Sequence, residues 1–363
     1  MAKALFFVGT CNRPLPYFAT ANGTGIAAFR LDVDTGVVEA LGVTEGIDNP
    51  TFLSVAPDGK SLCATSEVLG WNEGLITAYA IDPSSGKLDY LSKQPTRGDI
   101  AAHLSYDGTG RFAASVNYTV LPTSARPNRS VVIYPRADDG ALGPAIAEVT
   151  HEGSGKDAAR QERSHAHCVR WTPDNRFVIV ADLGIDKLVV YRFNAADGSL
   201  AAHAEIALPP GTGPRHFAFH PSGQWLYSVN ELRSSVASFA FDAAAGALAL
   251  LAIHATVPDS ALGHNHCSAI KVAPDGRHLV VGNRGHDSIG QFFIDQDTGI
   301  AALTGTTPCG GKTPRDLAFD PSGAILAVAN QDSDTLAFFR YAGGALVPVG
   351  QPLVTGTPTA IAF

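Results

Sequence analysis

The sequence has little charge and no concentrated basic segment. Lysine, arginine, aspartate and glutamate together make up 17% of the 363 residues, and the formal net charge is −8. Proteins that bind nucleic acid or anionic membranes usually carry clustered lysine and arginine. The composition therefore argues against nucleic acid and membrane as partners and favours a small molecule.

Long apolar segments and paired cysteines are also missing. No run approaches the ~18 apolar residues of a membrane span. The apolar start ALFFV is too short for a signal peptide and lacks a small-residue cleavage site. The five cysteines are an odd number, lie in separate parts of the chain and form no CxxC pair. We therefore predict a reduced, cytoplasmic protein.

What the sequence does contain is an internal repeat with a period of about 50 residues. Each copy has an apolar strand, a tight turn, two further strands and a short fourth strand. The turns between the first two strands are APDG (56–59), YDGTG (106–110), TPDN (172–175), HPSG (220–223), APDG (273–276) and DPSG (320–323). Four strands of alternating hydrophobicity per repeat are typical of an antiparallel β-propeller blade.

The two chain ends together supply one more blade. The C-terminal TPTAIAF (357–363) resembles the first strand of a repeat, whereas the N-terminal KALFFVGT resembles a second strand. Pairing these segments would close the ring and remove its exposed sheet edges. We predict an all-β fold, a seven-bladed β-propeller of four-stranded antiparallel blades, forming a single domain over 1–363.

The longest insertions fall at one end of the predicted propeller. They are the turn at 66–74, the loop at 117–130 and the linker at 150–167, whose glycine, serine and charged residues predict a lid or wall over a surface. In an up-and-down blade, the start of strand one and the turn after strand two lie at the same end. Function is therefore expected at this mouth of the central channel.

Chemically active side chains are concentrated at the same two places of each repeat. The strand-one starts are SHAHC (164–168), GPRH (213–216), GHNHC (263–267) and TPRD (313–316), and the turns after strand two include NELR (230–233) and NRGH (283–286). They direct ten residues at one mouth: His165, His167, Arg215, His216, Glu231, His264, His266, Arg284, Arg315 and Gln331. Histidines, arginines and a single carboxylate favour an acid/base site for an anionic substrate.

Other interpretations of these residues stay open. Arg315 could belong only to a strand-start turn and pair with the previous blade. The two His-x-His pairs place both imidazoles on one strand face and could hold a metal ion, but no carboxylate or cysteine accompanies them in a recognised spacing. Cys168 and Cys267 could be nucleophiles, although small buried residues are the simpler interpretation. We predict neither a metal nor another cofactor.

Three segments carry a resemblance to a known family. They are PRHFAFHPSG with SVNELRSSVASF, CSAIKVAPDGRHLVVGNRGHDSIGQF, and TPRDLAFDPSG with AVANQDSD. They resemble the seven-bladed lactonase family, which includes bacterial 6-phosphogluconolactonase and fungal carboxy-cis,cis-muconate cyclase. The resemblance covers nearly the whole chain and is weaker over 10–24 and 117–130. It implies a metal-independent site with His167, Arg215, Glu231 and Arg284 in catalytic roles.

The first functional hypothesis is a 6-phosphogluconolactonase-like hydrolase of a sugar lactone. Glu231 or His167 would activate water, the other would manage the leaving alkoxide, and Arg215 and Arg284 would hold the anion. The predicted substrate-binding residues are His165, His216, His266, Arg315 and Gln331. The alternatives are a carboxy-muconate cycloisomerase using the same four catalytic residues and a non-enzymatic binding platform. We expect a monomer or small homo-oligomer.

Overall fold

The computed structural model describes residues 3–120 and 128–363, so part of the predicted loop at 117–130 lies outside the described residues. The strands form seven separate antiparallel sheets. Blades 1 to 4 comprise Pro358–Ala362, Lys3–Thr10, Ile26–Asp32, Val38–Thr44; Leu53–Val55, Ser61–Ser66, Leu75–Ile81, Leu88–Pro95; Ala101–Tyr106, Phe112–Asn117, Val131–Pro135, Ala147–Val149; and Ala166–Trp171, Phe177–Asp182, Lys187–Phe193, Leu200–Ala207.

The remaining three blades follow the same order. Blades 5 to 7 comprise Pro214–Phe219, Trp225–Asn230, Ser235–Asp242, Ala247–Ala255; His266–Val272, His278–Arg284, Ser288–Ile294, Ala301–Pro308; and Pro314–Phe319, Ile325–Asn330, Thr335–Ala342, Ala345–Pro348. The third strand of blade 7 also pairs with the short Leu353–Val354. Within the described residues, two 3-10 segments, Asp259–His264 and Gln331–Ser333, lie between strands. No helix in the described part of the chain is long and apolar enough to cross a membrane.

The sheets form a closed ring around a central axis. The first strand of each blade contacts the first strand of both neighbouring blades, all the way round. Closure occurs in blade 1, where the C-terminal strand pairs antiparallel with the N-terminal strand, with Val8 opposite Ile361 and Gly9 opposite Ala360. The predicted seven-bladed fold and its closure are therefore confirmed.

The apolar core lies between neighbouring blades. One cluster, for example, joins Phe6 and Phe29 of blade 1 to Ile325 and Phe338 of blade 7. The second strands lie in the middle of this packing, and several are buried along their whole length. Outer strands are more accessible: Val38–Thr44 contains only half-buried and exposed residues. Close packing between neighbouring blades holds the ends of the strands in place around the axis.

The turns between the first and second strands owe their sequence to backbone conformation. The last turn residue of blade 2, Gly59, has φ of 69°, and its counterpart in blade 4, Asn175, has φ of 62°. Glycine and asparagine tolerate this left-handed region better than other residues. The repeat signature used to recognise the blades therefore reflects turn geometry at the end of the propeller opposite the mouth.

Candidate active site

A cavity of about 600 Å³ opens at the predicted end of the propeller. It is lined by starts of first strands, by turns after second strands and by the linker between blades 3 and 4. All ten residues predicted to face the mouth line it: His165, His167, Arg215, His216, Glu231, His264, His266, Arg284, Arg315 and Gln331. The alignment of the repeats thus identified the surface that surrounds the cavity.

Several of these side chains point into the cavity because of β-bulges. In blade 4, Ala166 pairs with Asp182 and Cys168 pairs with Ala181, so His167 lies between two ladder pairs without a partner of its own. The same irregularity occurs in five blades, and the residues it leaves unpaired are Ala102, His167, Arg215, Arg315 and Thr359. A bulge redirects a side chain away from the regular pleat. All five residues line the cavity.

A second set of cavity residues comes from the ends of the second strands. The residue that directly follows the strand is Glu67 in blade 2, Tyr118 in blade 3, Glu231 in blade 5 and Gln331 in blade 7. In blade 6 the corresponding residue, Arg284, is the last of its strand. The mouth is therefore built from two positions of the repeat, whose side chains differ from blade to blade.

Glu231 lies at the centre of a cluster of guanidinium groups. Its Oε2 is 2.8 Å from Nη2 of Arg284 and 3.0 Å from Nε of Arg215, and its Oε1 accepts a 2.6 Å hydrogen bond from Nη2 of Arg160. Burial raises the pKa of this carboxyl, but the charges of Arg284, Arg160 and Arg215 outweigh burial and hold the pKa well below its ordinary value. Glu231 is therefore ionised and weakly basic.

Arg215 forms the floor of this cluster. Its side chain is buried, and Nη1 donates to the backbone oxygen of Ser268 at 2.8 Å and lies 3.3 Å from Nε2 of His216. Its Nε faces Glu231 at ion-pair distance but without the angle of a hydrogen bond. Burial and the neighbouring Arg284 charge lower the pKa of Arg215 to about 9, which still leaves it cationic at neutral pH.

His167 is a titratable group beside this cluster. It is buried, and its Nδ1 has no hydrogen-bond partner in the described structure. Burial and the charge of Arg215 lower the pKa of His167 well below its ordinary value. The imidazole is therefore neutral at physiological pH. Because Nδ1 is enclosed, a proton from a bound molecule would be accepted at Nε2, which makes no hydrogen bond in the described structure.

The predicted substrate-binding residues fall into different surroundings. Both ring nitrogens of His165 are engaged, Nδ1 at 2.6 Å from the backbone oxygen of Tyr118 and Nε2 at 3.1 Å from Glu162, and its ring stacks on Tyr118. His165 therefore supports the cavity wall. His216 packs edge-on against the ring of His167, and the exposed His266 lies at the rim.

The expectation of a single carboxylate at the mouth was wrong. Glu67 is buried on the cavity wall, where it accepts hydrogen bonds of 2.5 Å from the hydroxyls of Tyr17 and Thr51. Desolvation of its hydroxyl group and the charge of Glu67 raise the pKa of Tyr17, so the phenol remains a proton donor. Glu67 occupies the same repeat position as Glu231, and a comparison of the strand-two ends would have found it.

Arg315 belongs to the Glu67 side of the mouth. Its Nη2 lies 4.0 Å from Glu67, its Nη1 donates to Oε1 of Gln331 at 3.2 Å, and its guanidinium sits 4.4 Å from the ring centroid of Phe18. Arg315 is in blade 7 and Glu67 is in blade 2, with blade 1 between them. The alternative that Arg315 pairs with the previous blade was therefore wrong.

Arg160 was missed because it lies outside the repeat. It comes from the linker between blades 3 and 4, which the structure places as a wall of the cavity, with Ala159, Arg160 and Glu162 facing inward. The only sequence signal was the charge of the linker. Among the described residues, no group of three or more His, Cys, Asp or Glu side chains is arranged to hold a metal ion.

Comparison with known proteins identifies the family of this chain. The family described as "Lactonase, 7-bladed beta-propeller" matches residues 6–363. The chain is 32% identical over 340 residues to the 6-phosphogluconolactonase of Bacillus subtilis, covering 94% of this chain and 92% of that protein. It is also 32% identical over 323 residues to the 6-phosphogluconolactonase of Formosa agariphila, covering 88% of each chain.

A solved structure agrees with these sequence relatives. The periplasmic gluconolactonase of Pseudomonas aeruginosa superimposes with a TM-score of 0.89 and 32% identity, over 99% of this chain and 98% of that one. The agreement extends from the first strand to the strand that closes the ring, and it includes every blade that contributes to the cavity. The chain belongs to the family of seven-bladed β-propeller lactonases.

Proposed function

We propose that this protein hydrolyses a sugar lactone, as its relatives named 6-phosphogluconolactonase and gluconolactonase do by name. The observation that carries the proposal is the neutral, buried His167 with a free ring nitrogen beside the Glu231–arginine cluster. A concave cavity of about 600 Å³ is suited to a monosaccharide and unlike the broad patch expected of a binding platform.

His167 is the general base in this mechanism. Its neutral imidazole takes a proton from water as the water oxygen attacks the lactone carbonyl carbon. Glu231 is less suited to this role, because three guanidinium groups lower its proton affinity. The protonated His167 then returns the proton to the ring oxygen as the carbon–oxygen bond of the lactone breaks, which gives the open hydroxy acid.

Arg215 and Arg284 stabilise the negative charge that develops on the carbonyl oxygen. Each keeps N–H groups that make no hydrogen bond within the described structure, the Nη2 of Arg215 and the Nη1 of Arg284. Donors of this kind typically contribute ~2.7–4 kcal/mol to transition-state stabilisation. Glu231 holds the two guanidiniums in place, so its role is to position them.

The remaining predicted contacts orient the sugar. His216, His266, Arg315 and Gln331 line the cavity around the proposed reaction centre and offer donors and acceptors to hydroxyl groups. A sugar hydroxyl buried in the cavity needs hydrogen-bond partners, because a buried polar atom without one lowers the binding free energy. His165 contributes indirectly, since both of its ring nitrogens are already engaged.

A proton-release assay tests the proposal. Purified protein with a chelator present would be given gluconolactone, its 6-phosphate and a carboxy-muconate, with spontaneous hydrolysis subtracted. We expect acid release from a lactone, and we expect His167→Asn to lower the rate ~10²- to 10⁴-fold. His203→Asn, on an outer strand of blade 4, is the matched control and should retain the full rate.

Two results would contradict the mechanism. A His167→Asn variant with the full lactonase rate would remove the assigned base. Conversion of the muconate without any turnover of the lactones would instead favour the cycloisomerase. Loss of activity in the His203→Asn control would show that histidine substitutions act through folding, and thermal unfolding of each variant separates that case.

The proposed location is a reducing compartment such as the cytoplasm. Cys11, Cys63, Cys168, Cys267 and Cys309 are all unpaired and buried. Burial raises the pKa of the Cys63 thiol to about 12, which suppresses its reactivity. The relative from Pseudomonas aeruginosa is periplasmic by name, so fractionation of cells against marker enzymes of both compartments is the appropriate test.

A further inference from the structure

Three aromatic rings meet across the propeller axis at the base of the cavity. The ring centroids of Phe52 and His103 are 4.0 Å apart, those of His103 and His216 are 5.2 Å apart, and those of Phe52 and His216 are 5.8 Å apart. His103 is fully buried, whereas Phe52 and His216 line the cavity. Because blade 5, which carries His216, is not a neighbour of blades 2 and 3, these contacts cross the axis. We call the three rings the axial plug.

The side chains beneath the axial plug can be assigned from strand register. Successive side chains of a strand alternate, so the residue two positions after His103 or His216 faces the same way as that ring. These residues are Ser105, opposite Ala114, and Ala218, opposite Tyr227. In blade order, the equivalent first-strand residues are Ala362, Ser54, Ser105, Arg170, Ala218, Lys271 and Ala318. Alanine and serine fill most of this layer, which leaves space around its two long cationic side chains.

This layer is accessible to solvent although it belongs to the innermost strands. The Lys271 side chain is 26% exposed, and Arg170, Ser54 and Ala218 are half-buried. The first strands contact one another all the way round the ring. Solvent therefore reaches these side chains along the axis, and the axial plug separates them from the active-site cavity.

The charges of this layer do not balance. Lys271 Nζ lies 3.8 Å from Asp316 Oδ1, which is too far for a direct hydrogen bond. Asp316 instead accepts the backbone N–H groups of Leu317 and Ile361, each at 2.9 Å. In the part of the chain that the structure describes, Arg170 forms no ion pair, and its buried Nε has no hydrogen-bond partner. Two cations and one carboxylate leave an excess of one positive charge.

The two cations also act on each other and on the axial plug. Burial lowers the pKa of Lys271, and the charge of Arg170 lowers it further, whereas Asp316 opposes the shift. Burial and the charge of Arg170 hold the pKa of His103 well below its ordinary value, so this ring of the plug is neutral. Like charges in a poorly solvated space are unfavourable unless an anion compensates them.

We propose that the axial channel binds a monovalent inorganic anion of about the size of chloride between Arg170 and Lys271, beneath the axial plug. One negative charge balances the excess. The guanidinium, the ammonium and the hydroxyl of Ser54 supply N–H and O–H donors. The axial plug keeps this site apart from His167 and the Glu231–arginine cluster, so the proposal does not depend on the lactonase function.

Crystals of the full chain soaked in sodium bromide test the location. Bromide replaces chloride and is located by its anomalous scattering. We expect a bromide peak between Arg170 and Lys271 in the wild-type protein and no peak there in Arg170→Gln. Arg170→Lys keeps the positive charge and should keep the peak. A wild-type peak only at the Glu231–arginine cluster, or no peak at all, would overturn the proposal.

Chloride NMR line widths measure the affinity in solution. Arg170→Gln should weaken chloride binding by roughly 10- to 100-fold, as expected for the loss of a charge-assisted hydrogen bond. Lys271→Met should act in the same direction and provides a second variant if Arg170→Gln does not fold. Arg192→Gln is the matched control, because Arg192 is exposed on the third strand of the same blade as Arg170. It should leave the affinity unchanged.

Two solution results would contradict the proposal. Unchanged affinity in both Arg170→Gln and Lys271→Met would mean that chloride binds elsewhere on the protein. Displacement of chloride by an equal or lower concentration of sulfate would contradict a monovalent ligand. Thermal unfolding of each variant, measured in parallel, ensures that a loss of affinity reports on the site and not on the fold.

Discussion

Glu231 and Glu67 occupy the same place in their blades, directly after the second strand, and both are buried in the wall of one cavity. Their surroundings differ. Three guanidiniums lie within 3.0 Å of Glu231. Glu67 is held by the hydroxyls of Tyr17 and Thr51, and the guanidinium nearest to it is that of Arg315 at 4.0 Å.

The comparison shows that one scaffold position supports two chemical environments. In a propeller, strand two of each blade ends on the same side of the ring. The seven blades therefore place seven such positions around one mouth. The neighbours of each position come from bulged first strands and from loops that differ between blades. We therefore expect the Glu231 side to carry the reaction and the Glu67 side to orient the substrate.

The largest effect is expected from Glu231→Gln. Loss of the carboxylate removes the group that positions Arg215 and Arg284, and removal of one oxyanion donor typically costs 10²- to 10³-fold in kcat. We expect a decrease of that size in kcat, with KM changed much less because the guanidiniums remain. Steady-state kinetics on the accepted lactone measures this. A kcat within threefold of wild type would contradict the proposed role of Glu231 in positioning the two arginines.

The same substitution should also destabilise the fold in a pH-dependent manner. Removal of one partner from a buried ion cluster costs about 3 kcal/mol of unfolding free energy. The pKa of Glu231 is lower in the folded protein than its ordinary 4.5, so its contribution is present above pH 4.5 and is lost as pH falls through the lowered pKa.

Urea unfolding of wild type and Glu231→Gln at a series of pH values measures this dependence. The difference in unfolding free energy should be constant above about pH 5 and should shrink as the solution is acidified below the ordinary pKa of the carboxyl. A difference that instead grows on acidification would contradict the lowered pKa of Glu231.

Glu67→Gln should have a smaller effect on catalysis. The amide oxygen can still accept a hydrogen bond from Tyr17 or Thr51, and the distant Arg315 loses little at 4.0 Å. We expect kcat/KM to decrease about 3- to 10-fold, mainly through KM, as for the loss of about one hydrogen bond to the substrate or its wall. A loss as large as that of Glu231→Gln would erase the proposed distinction between the two sides.

Tyr17→Phe should have the smallest effect of the series. It removes one hydroxyl donor to Glu67, while Thr51 continues to hold the carboxylate. We expect stability to fall by about 1 kcal/mol or less, because the Tyr17 residue is 49% exposed. Chemical denaturation measures the change in stability, and lactone kinetics measures the change in kcat. A decrease in kcat greater than tenfold would instead place Tyr17 next to the reacting atoms.

Much of this molecule follows from periodicity. Strand alternation and the turn signature predict the blades, the ring closure and the end at which the cavity opens. His167, Arg215 and Arg315 could be placed at the mouth because each lies at a strand-one start, and Glu231 because it follows a second strand. Local sequence determines these features, since strand pairing and turns depend on neighbouring residues.

Which charged side chains lie next to one another is determined only by the tertiary structure. Arg160 and Tyr17 lie in segments outside the repeat, so no register could place them beside Glu231 and Glu67. Arg315 reaches Glu67 two blades away because closure of the ring brings first-strand starts together near the axis. The lowered pKa of Glu231 likewise results from three arginines contributed by different parts of the chain. Electrostatic interactions depend on distances in space, which a sequence specifies only through the complete fold.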